Sequence, residues 1–341
     1  MDSETTLPPS EPAPPAPPST FRKIFVGKDG LRAGWSLLIF VALFAAVSFC
    51  INTIGHKLFP PAAKTANPSS EISLRDAFTS ESVGLFVTFL ATWIMSKIER
   101  RPNSVYGLGD ARMLSHFFAG LGWGVVCLSL LVLTLWKTSL LVFDARLLFG
   151  GDILRYGSIW LFAFFLAGVF EEYFSRGYLL YTLTRGIAGI YEWAFKTRHS
   201  HALGFWTSAA ILSFLFGLGH TSNPGESPIG LLSAGLASMV FCLSLWRTGS
   251  LWWAIGIHAS WDWSQSFLYG VADSGVMAQH HLLATHPVGK PILSGGTTGP
   301  EGSIFIVAIV ALIALIIVFT LPRAQRGNTP AYPAQFHAGE N

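Results

Sequence analysis

The sequence predicts an all-α integral membrane protein, a polytopic bundle of about eight transmembrane helices. Three observations predict it. Of the 341 residues, 51% are Ala, Val, Ile, Leu, Met, Phe, Trp, Tyr or Cys and only 12% are Asp, Glu, Lys or Arg, against about 25% charged residues in soluble domains. The mean hydropathy is +0.48, and apolar runs long enough to cross a ~30 Å hydrocarbon core recur along the chain. Lys and Arg also gather in alternate connections, as cytoplasmic loops require. Net charge is +3, too balanced for a polyanion partner, so nucleic acid is excluded. The 12 tryptophans suit the headgroup level of a bilayer. Cys50, Cys127 and Cys242 lie inside apolar runs without a C-x-x-C, and read as small buried hydrophobes.

Residues 1–20 carry seven prolines and cannot bury apolar surface, which predicts a disordered tail. The first apolar run begins near Ala33 and is too long for a cleavable signal. The spans run over 33–54, 79–96, 114–136, 157–180, 202–220, 228–246, 250–270 and 303–321, the second, fourth, fifth and seventh being interrupted by polar residues. One set of connections receives Arg22, Lys23, Lys28, Arg32, Lys97, Arg100, Arg101, Arg112, Arg185, Lys196, Arg198, Arg247, Arg323 and Arg326. The other receives Lys57, Lys64, Arg75, Lys137, Arg146, Arg155 and Lys290. This bias predicts cytoplasmic N- and C-termini. Gly120-x-x-x-Gly124 is the small-residue spacing that lets two helices approach closely, and Val271 to Gly302, rich in Gly and Pro, reads as a long outer loop.

A charge at mid-bilayer costs at least about 2.5–3.5 kcal/mol, so ionisable residues inside spans point to function. They fall in three spans: Glu171-Glu172 with Arg176, Phe216 with His220, and His258 with Asp262. At 100° per residue Glu172 and Arg176 face the same way and pair, whereas Glu171 faces elsewhere and has no partner on its own helix. Glu171, Ser175 and Tyr178 form one polar stripe, and His258, Asp262 and Gln265 another. An unpaired carboxylate in an apolar setting can serve as a general base near neutral pH. With two imidazoles and a second carboxylate, it could activate water and stabilise an oxyanion.

The ordered set E-E-x-x-x-R, F-x-x-x-H and H-x-x-x-N/D, each on its own membrane helix, resembles the CPBP family of intramembrane endopeptidases, the type II CAAX prenyl protease and Abi family. The likeness covers about residues 155–270. It implies hydrolysis of a peptide bond within the membrane, with Glu171 as general base assisted by His220, His258 and Asp262 binding the oxyanion, and Glu172 and Arg176 holding the helix. Where the family pattern has Asn, this chain has Asp262, which donates to an oxyanion only when protonated and otherwise orients His258. The family is described both as metal-dependent and as glutamate-dependent without metal. Glu171, His220, His258 and Asp262 would suit zinc as two nitrogens and two oxygens, but no H-E-x-x-H fixes two ligands on one face, and the reading leans to the metal-free mechanism. No other cofactor is implied. The expected organisation is a tail over 1–30, N-terminal helices over 31–150, a catalytic core over 151–270, the outer loop over 271–302, and a last helix with its tail over 303–341.

The partners implied are the lipid bilayer, of a bacterial inner membrane, and a membrane-embedded or prenylated peptide substrate. Alternatives of other classes are a non-catalytic scaffold or bacteriocin-immunity protein of the same fold, and a proton-coupled transporter, which would need repeats and broken helices that are not visible. On this topology His220 falls near the outer end of its span and Glu171 and His258 in the cytoplasmic half, which requires a longer fifth helix or shifted boundaries. Gly107-Leu108-Gly109-Asp110 matches an aspartyl-protease signature but sits in a basic loop. Gly225-Glu226-Ser227 is a short loop and no serine nucleophile. His280, His281 and His286 read as solvated loop residues. Trp261 or Trp263 could touch substrate.

Overall fold

The computed structural model describes residues 24–27, 30–58 and 71–322; the Pro-rich tail and the C-terminal tail lie outside them. The first run forms α1 (Ala33–Leu58), entered through a minimal antiparallel pair β1 (Val26–Gly27) and β2 (Gly30–Leu31). After β3 (Glu71–Ile72), α2 spans Leu74–Glu99, started by Ser73, whose hydroxyl accepts from the Asp76 amide. It is ended by Arg100 in the left-handed conformation. Next come α3 (Met113–Lys137) and β4 (Leu141–Arg146). The fourth run becomes α4 (Gly151–Glu172), which passes through a π-helical turn (Tyr173–Leu179) into α5 (Leu180–Phe195). Helices α6 (Ser200–Gly219) and α7 (Pro228–Thr248) follow, the latter capped by Ser227 with Pro228 in its first turn. Helix α8 (Trp252–Trp263) runs into a second π-helical turn (Ser264–Leu268). Strands β5 (Met277–Ala278) and β6 (Leu283–Pro287), a single turn α9 (Pro291–Ser294) and α10 (Ile306–Thr320) complete the chain.

Six of these helical stretches are long and apolar enough to cross a membrane: Ala33–Gly55, Leu74–Glu99, Met113–Lys137, Gly151–Phe195, Ser200–Ser222 and Pro228–Thr248. The protein is therefore an integral membrane bundle. Large apolar side chains such as Leu133, Phe162, Phe214 and Leu315 stand exposed on its outside, as lipid-facing positions do. The predicted seventh and eighth spans exist as helices but are shorter. Helix α8 compensates by being wrapped in protein: Trp253, Ala254, Ile255, Gly256, Ile257, Ala259 and Ser260 are all buried. The fourth helix departs from its predicted window in the other direction. Gly151–Phe195 is 45 residues, about 67 Å at 1.5 Å per residue and twice a hydrocarbon core.

Helix α8 lies between α3 and α4; α4 also packs on α2, α2 on α1, and α1 on α5. Helix α6 packs between α5 and α7, and α10 closes against α7 and α3. The approach of α3 to α8 depends on the predicted glycine pair. A side chain at Gly120 would run into the Trp253 carbonyl, one at Gly124 into Ser260 Oγ and the Ile257 carbonyl, and one at Gly256 into the Phe117 carbonyl. Of the cysteines, Cys127 and Cys242 are buried as expected, but Cys50 is exposed, on a helix little of which is buried inside the protein. Arg247, counted above among the cytoplasmic charges, donates to the Val318 and Leu321 carbonyls and satisfies the open end of α10.

The segment Val271–Gly302 is tied down rather than loose. Strand β6 pairs antiparallel with β4, with an irregularity between Phe143 and Ala145, and β5 pairs parallel with β3. The Thr297 and Thr298 hydroxyls donate to the Gly225 carbonyl, so the segment is laced to the connection between α6 and α7. Replacing Gly124 by Val should destabilise the bundle by about 1–3 kcal/mol through overpacking. Gly122→Ala, where nothing lies within 4 Å, should leave the melting temperature in detergent unchanged.

Candidate active site

The sequence LAGVFEEYFSRGY carries α4 into its π-helical turn at the point where Glu171 and Glu172 leave the helix. A π turn advances the chain by less rotation per residue than an α turn, and such turns occur often at functional sites. Glu172 and Arg176 still meet, with Arg176 Nη1 donating to Glu172 Oε1 at 2.5 Å, both side chains buried. Arg176 Nε also reaches the Ser238 carbonyl of α7 at 3.4 Å. The guanidinium lies 4.8 Å from the Phe216 ring and 5.3 Å from the Phe241 ring, a cation–π sandwich.

Glu172 has a second partner that its own helix could not reveal. Its Oε1 lies 2.9 Å from His258 Nδ1. A carboxylate accepts, so Nδ1 carries the proton. The other nitrogen, Nε2, lies 3.4 Å from Asp262 Oδ2 and 3.7 Å from Glu171 Oε2. His258 is thus held from behind by Glu172 and faces two carboxylates. His220, the residue after α6, places Nδ1 2.8 Å from the Phe216 carbonyl. Because that oxygen can only accept, Nδ1 is the protonated nitrogen and Nε2 of the neutral ring keeps its lone pair.

Glu171, His220, His258 and Asp262 line one cavity of about 230 Å³. The predicted mismatch in depth does not arise. Helix α6 ends at Gly219 and runs on as a 3₁₀ turn over His220–Ser222, so the helical stretch passes His220, while Glu171 lies near the middle of a helix far longer than the window drawn for it. Two predicted stripes are corrected. Ser175 spends its hydroxyl on the Glu171 carbonyl, and Tyr178 is fully buried against Phe40 and Tyr106, rotated out of line by the π turn. Gln265 lies in the second π turn and donates to the Ala272 carbonyl. Trp261 is in the cavity wall, whereas Trp263 donates to the Gly157 carbonyl of α4.

Sequence reasoning missed Glu81, Asn223, Asp273, Ser274 and Glu301, all on the same cavity. Glu81 had a signal, an ionisable residue just inside the second apolar run. Nothing marked Asp273 and Glu301 apart from other loop acids. Burial pushes the Asp273 carboxyl well above its ordinary range, and the Asp262 and Glu301 carboxylates push it further. Glu301 is likewise raised by burial, against hydrogen bonds from the Ser274 hydroxyl and amide.

The set-aside signals have local roles. Asp110 accepts from the Arg112 amide and sits 2.5 Å from His116 Nδ1; burial raises its pKa, but these bonds prevail and hold it below the usual value. Ser227 caps α7. His286 pairs with Asp144, His281 with the Ala278 carbonyl, and His280 stacks on Tyr156. Among the described residues no three His, Cys, Asp or Glu side chains are grouped to hold a metal ion. The four residues that would suit zinc line one cavity but are not grouped as a ligand set as placed. The chemistry below is derived from the side chains themselves.

Residues 154–264 match the family model of the type II CAAX prenyl endopeptidase Rce1-like proteins. The match takes in about a third of the chain, contains all three motifs, and bears out the resemblance they carry. No curated protein and no solved structure matches. The class defined by fold and match together is a helical membrane protein with an Rce1-like, CAAX-protease-type segment around this cavity.

Glu172→Gln should leave Arg176 as an uncompensated buried charge, a loss of about 3–5 kcal/mol. Unfolding in detergent should register it, and Glu172→Gln with Arg176→Gln should recover part of the loss.

Proposed function

We propose that this protein is an intramembrane endopeptidase that hydrolyses one peptide bond of a membrane-associated substrate. The observation that carries the reading is the meeting of Glu171, His220, His258 and Asp262, from three helices, on one cavity within the segment that matches the Rce1-like family. A cavity of about 230 Å³ has room for water, since one molecule needs about 10–15 Å³ of such space.

In this mechanism the Glu171 carboxylate takes a proton from water as the resulting hydroxide adds to the carbonyl carbon. His220 Nε2, the lone-pair nitrogen of its ring, orients that water or shares the proton. The oxyanion is met by His258. Since Nδ1–H is committed to Glu172, an Nε2–H donor exists only when the ring is doubly protonated. Asp262, near the same nitrogen, orients His258 rather than donating as the family's Asn would. Collapse of the tetrahedral intermediate breaks the C–N bond, and the proton on Glu171 passes to the leaving amine.

Both termini lie in the cytoplasm, on the distribution of Lys and Arg. Substrate enters laterally or from the cytoplasmic side. A CAAX-type prenylated tail and a small unprenylated membrane peptide are both compatible substrates.

Cleavage of a labelled membrane-peptide library by purified wild type in detergent tests the reading. Glu171→Gln should reduce hydrolysis by about 10²–10⁴-fold, the weight of a general base, with an unchanged melting temperature. Undiminished cleavage in that variant would remove Glu171 from catalysis. Loss of wild-type cleavage in a strong chelator, restored by zinc, would replace the metal-free mechanism with a metal-dependent one.

A further inference from the structure

The cavity is built from two sources. Glu171, His220, His258 and Asp262 lie inside the stretch matched by the family model, whereas Glu81, Asp273, Ser274 and Glu301 lie outside residues 154–264. Glu81 comes from α2, and the other three from the segment laced across the end of the bundle.

The cavity is short of positive charge. Its lining holds five carboxylates, Glu81, Glu171, Asp262, Asp273 and Glu301, and two imidazoles; among the described residues that line it none is Lys or Arg. The hydrogen bonds to Glu81, Asp273 and Glu301 come from neutral groups. Ser266 Oγ donates to Asp273 at 3.1 Å, the Ser274 amide and hydroxyl to Glu301 at 2.6 and 2.8 Å, and Ser80 Oγ to Glu81 at 3.0 Å. Among the described residues no ion pair involves any of the three. Half-buried carboxylates without a countercharge are costly, and the raised pKa values of Asp273 and Glu301 express that cost. A ligand that brings a cation is stabilised here and one that brings a carboxylate is repelled. The lining also includes the apolar side chains of Val240, Phe241, Ile306, Val310 and Ile313.

We propose that Asp273 and Glu301 form a specificity subsite for a Lys or Arg side chain beside the scissile bond, the neighbouring substrate residue being apolar and seated against α7 and α10. The proposal rests on the endopeptidase reading for the bond broken, but not for the binding preference.

The test uses full-length protein in detergent and one fluorescent apolar peptide into which a single Lys, Gln or Glu is placed at each position in turn. Binding is read by anisotropy and cleavage by kcat/KM, for wild type and for Asp273→Asn with Glu301→Gln. The expected result is a position at which Lys binds wild type at least tenfold more tightly than Glu, with Gln between. In the double variant that ratio should fall below threefold. Equal binding of the three peptides at every position, or a Lys preference that survives the double variant, overturns the proposal. If the double variant fails to fold, the two single variants carry the same comparison, each expected to reduce the ratio. A Lys preference in binding with no cleavage of any peptide upholds the subsite and removes the endopeptidase reading. Cleavage without a preference does the reverse.

Discussion

The buried guanidinium of Arg176 is the constraint on which the site depends. It is neutralised by Glu172 on its own helix, touches the Ser238 carbonyl of α7, and lies between the rings of Phe216 on α6 and Phe241 on α7. Glu172 then reaches His258 on α8. Four helices are thereby referenced to one charge. Desolvating such a pair has a cost that Coulomb attraction alone seldom recovers, so its effect is better described as fixing an arrangement than as adding stability. The arrangement fixed is the position and tautomer of His258.

Backbone geometry supports the same outcome. The two helices that carry the motif carboxylates Glu171 and Asp262 each turn π-helical immediately afterward, at Tyr173–Leu179 and at Ser264–Leu268. The wider turns let Glu171 and Asp262 face the cavity while Tyr178 and Gln265, which an ideal helix would align with them, are rotated into protein. Helix α8 is only 12 residues before its π turn, and it holds its depth because Gly120, Gly124 and Gly256 let it lie directly on α3. A short helix bearing His258 and Asp262 is tolerable in a bilayer when protein, not lipid, surrounds it.

The cavity also draws on parts of the chain remote from the motifs. Helix α2 supplies Glu81, α10 supplies Ile306, Val310 and Ile313, and the segment after α8 supplies Asp273, Ser274 and Glu301. The core drawn over 151–270 therefore holds the motif residues but not the whole cavity wall. A segment read as an outer loop is instead a fixed cover, held by strand pairing to β4 and β3 and by threonine hydroxyls to Gly225.

What the sequence by itself determined follows from local rules. Apolar runs set the helices, since backbone polar groups in lipid must be paired within the segment. The insertion cost of charge singled out Glu171, Glu172, Arg176, His220, His258 and Asp262. Four-residue spacing paired Glu172 with Arg176, and small residues at Gly120 and Gly124 marked a close helix contact. Tertiary structure alone decided the rest: the second partner of Glu172, the common depth of His220 and Glu171, the departure of Tyr178 and Gln265 from their stripes, and the entry of Asp273 and Glu301 into the site. The physical reason is the same in each case. Hydropathy and helical period describe one segment against its solvent, whereas depth, tautomer and cavity charge arise between segments, where a 45-residue helix or a laced loop can set side chains from distant positions against one another.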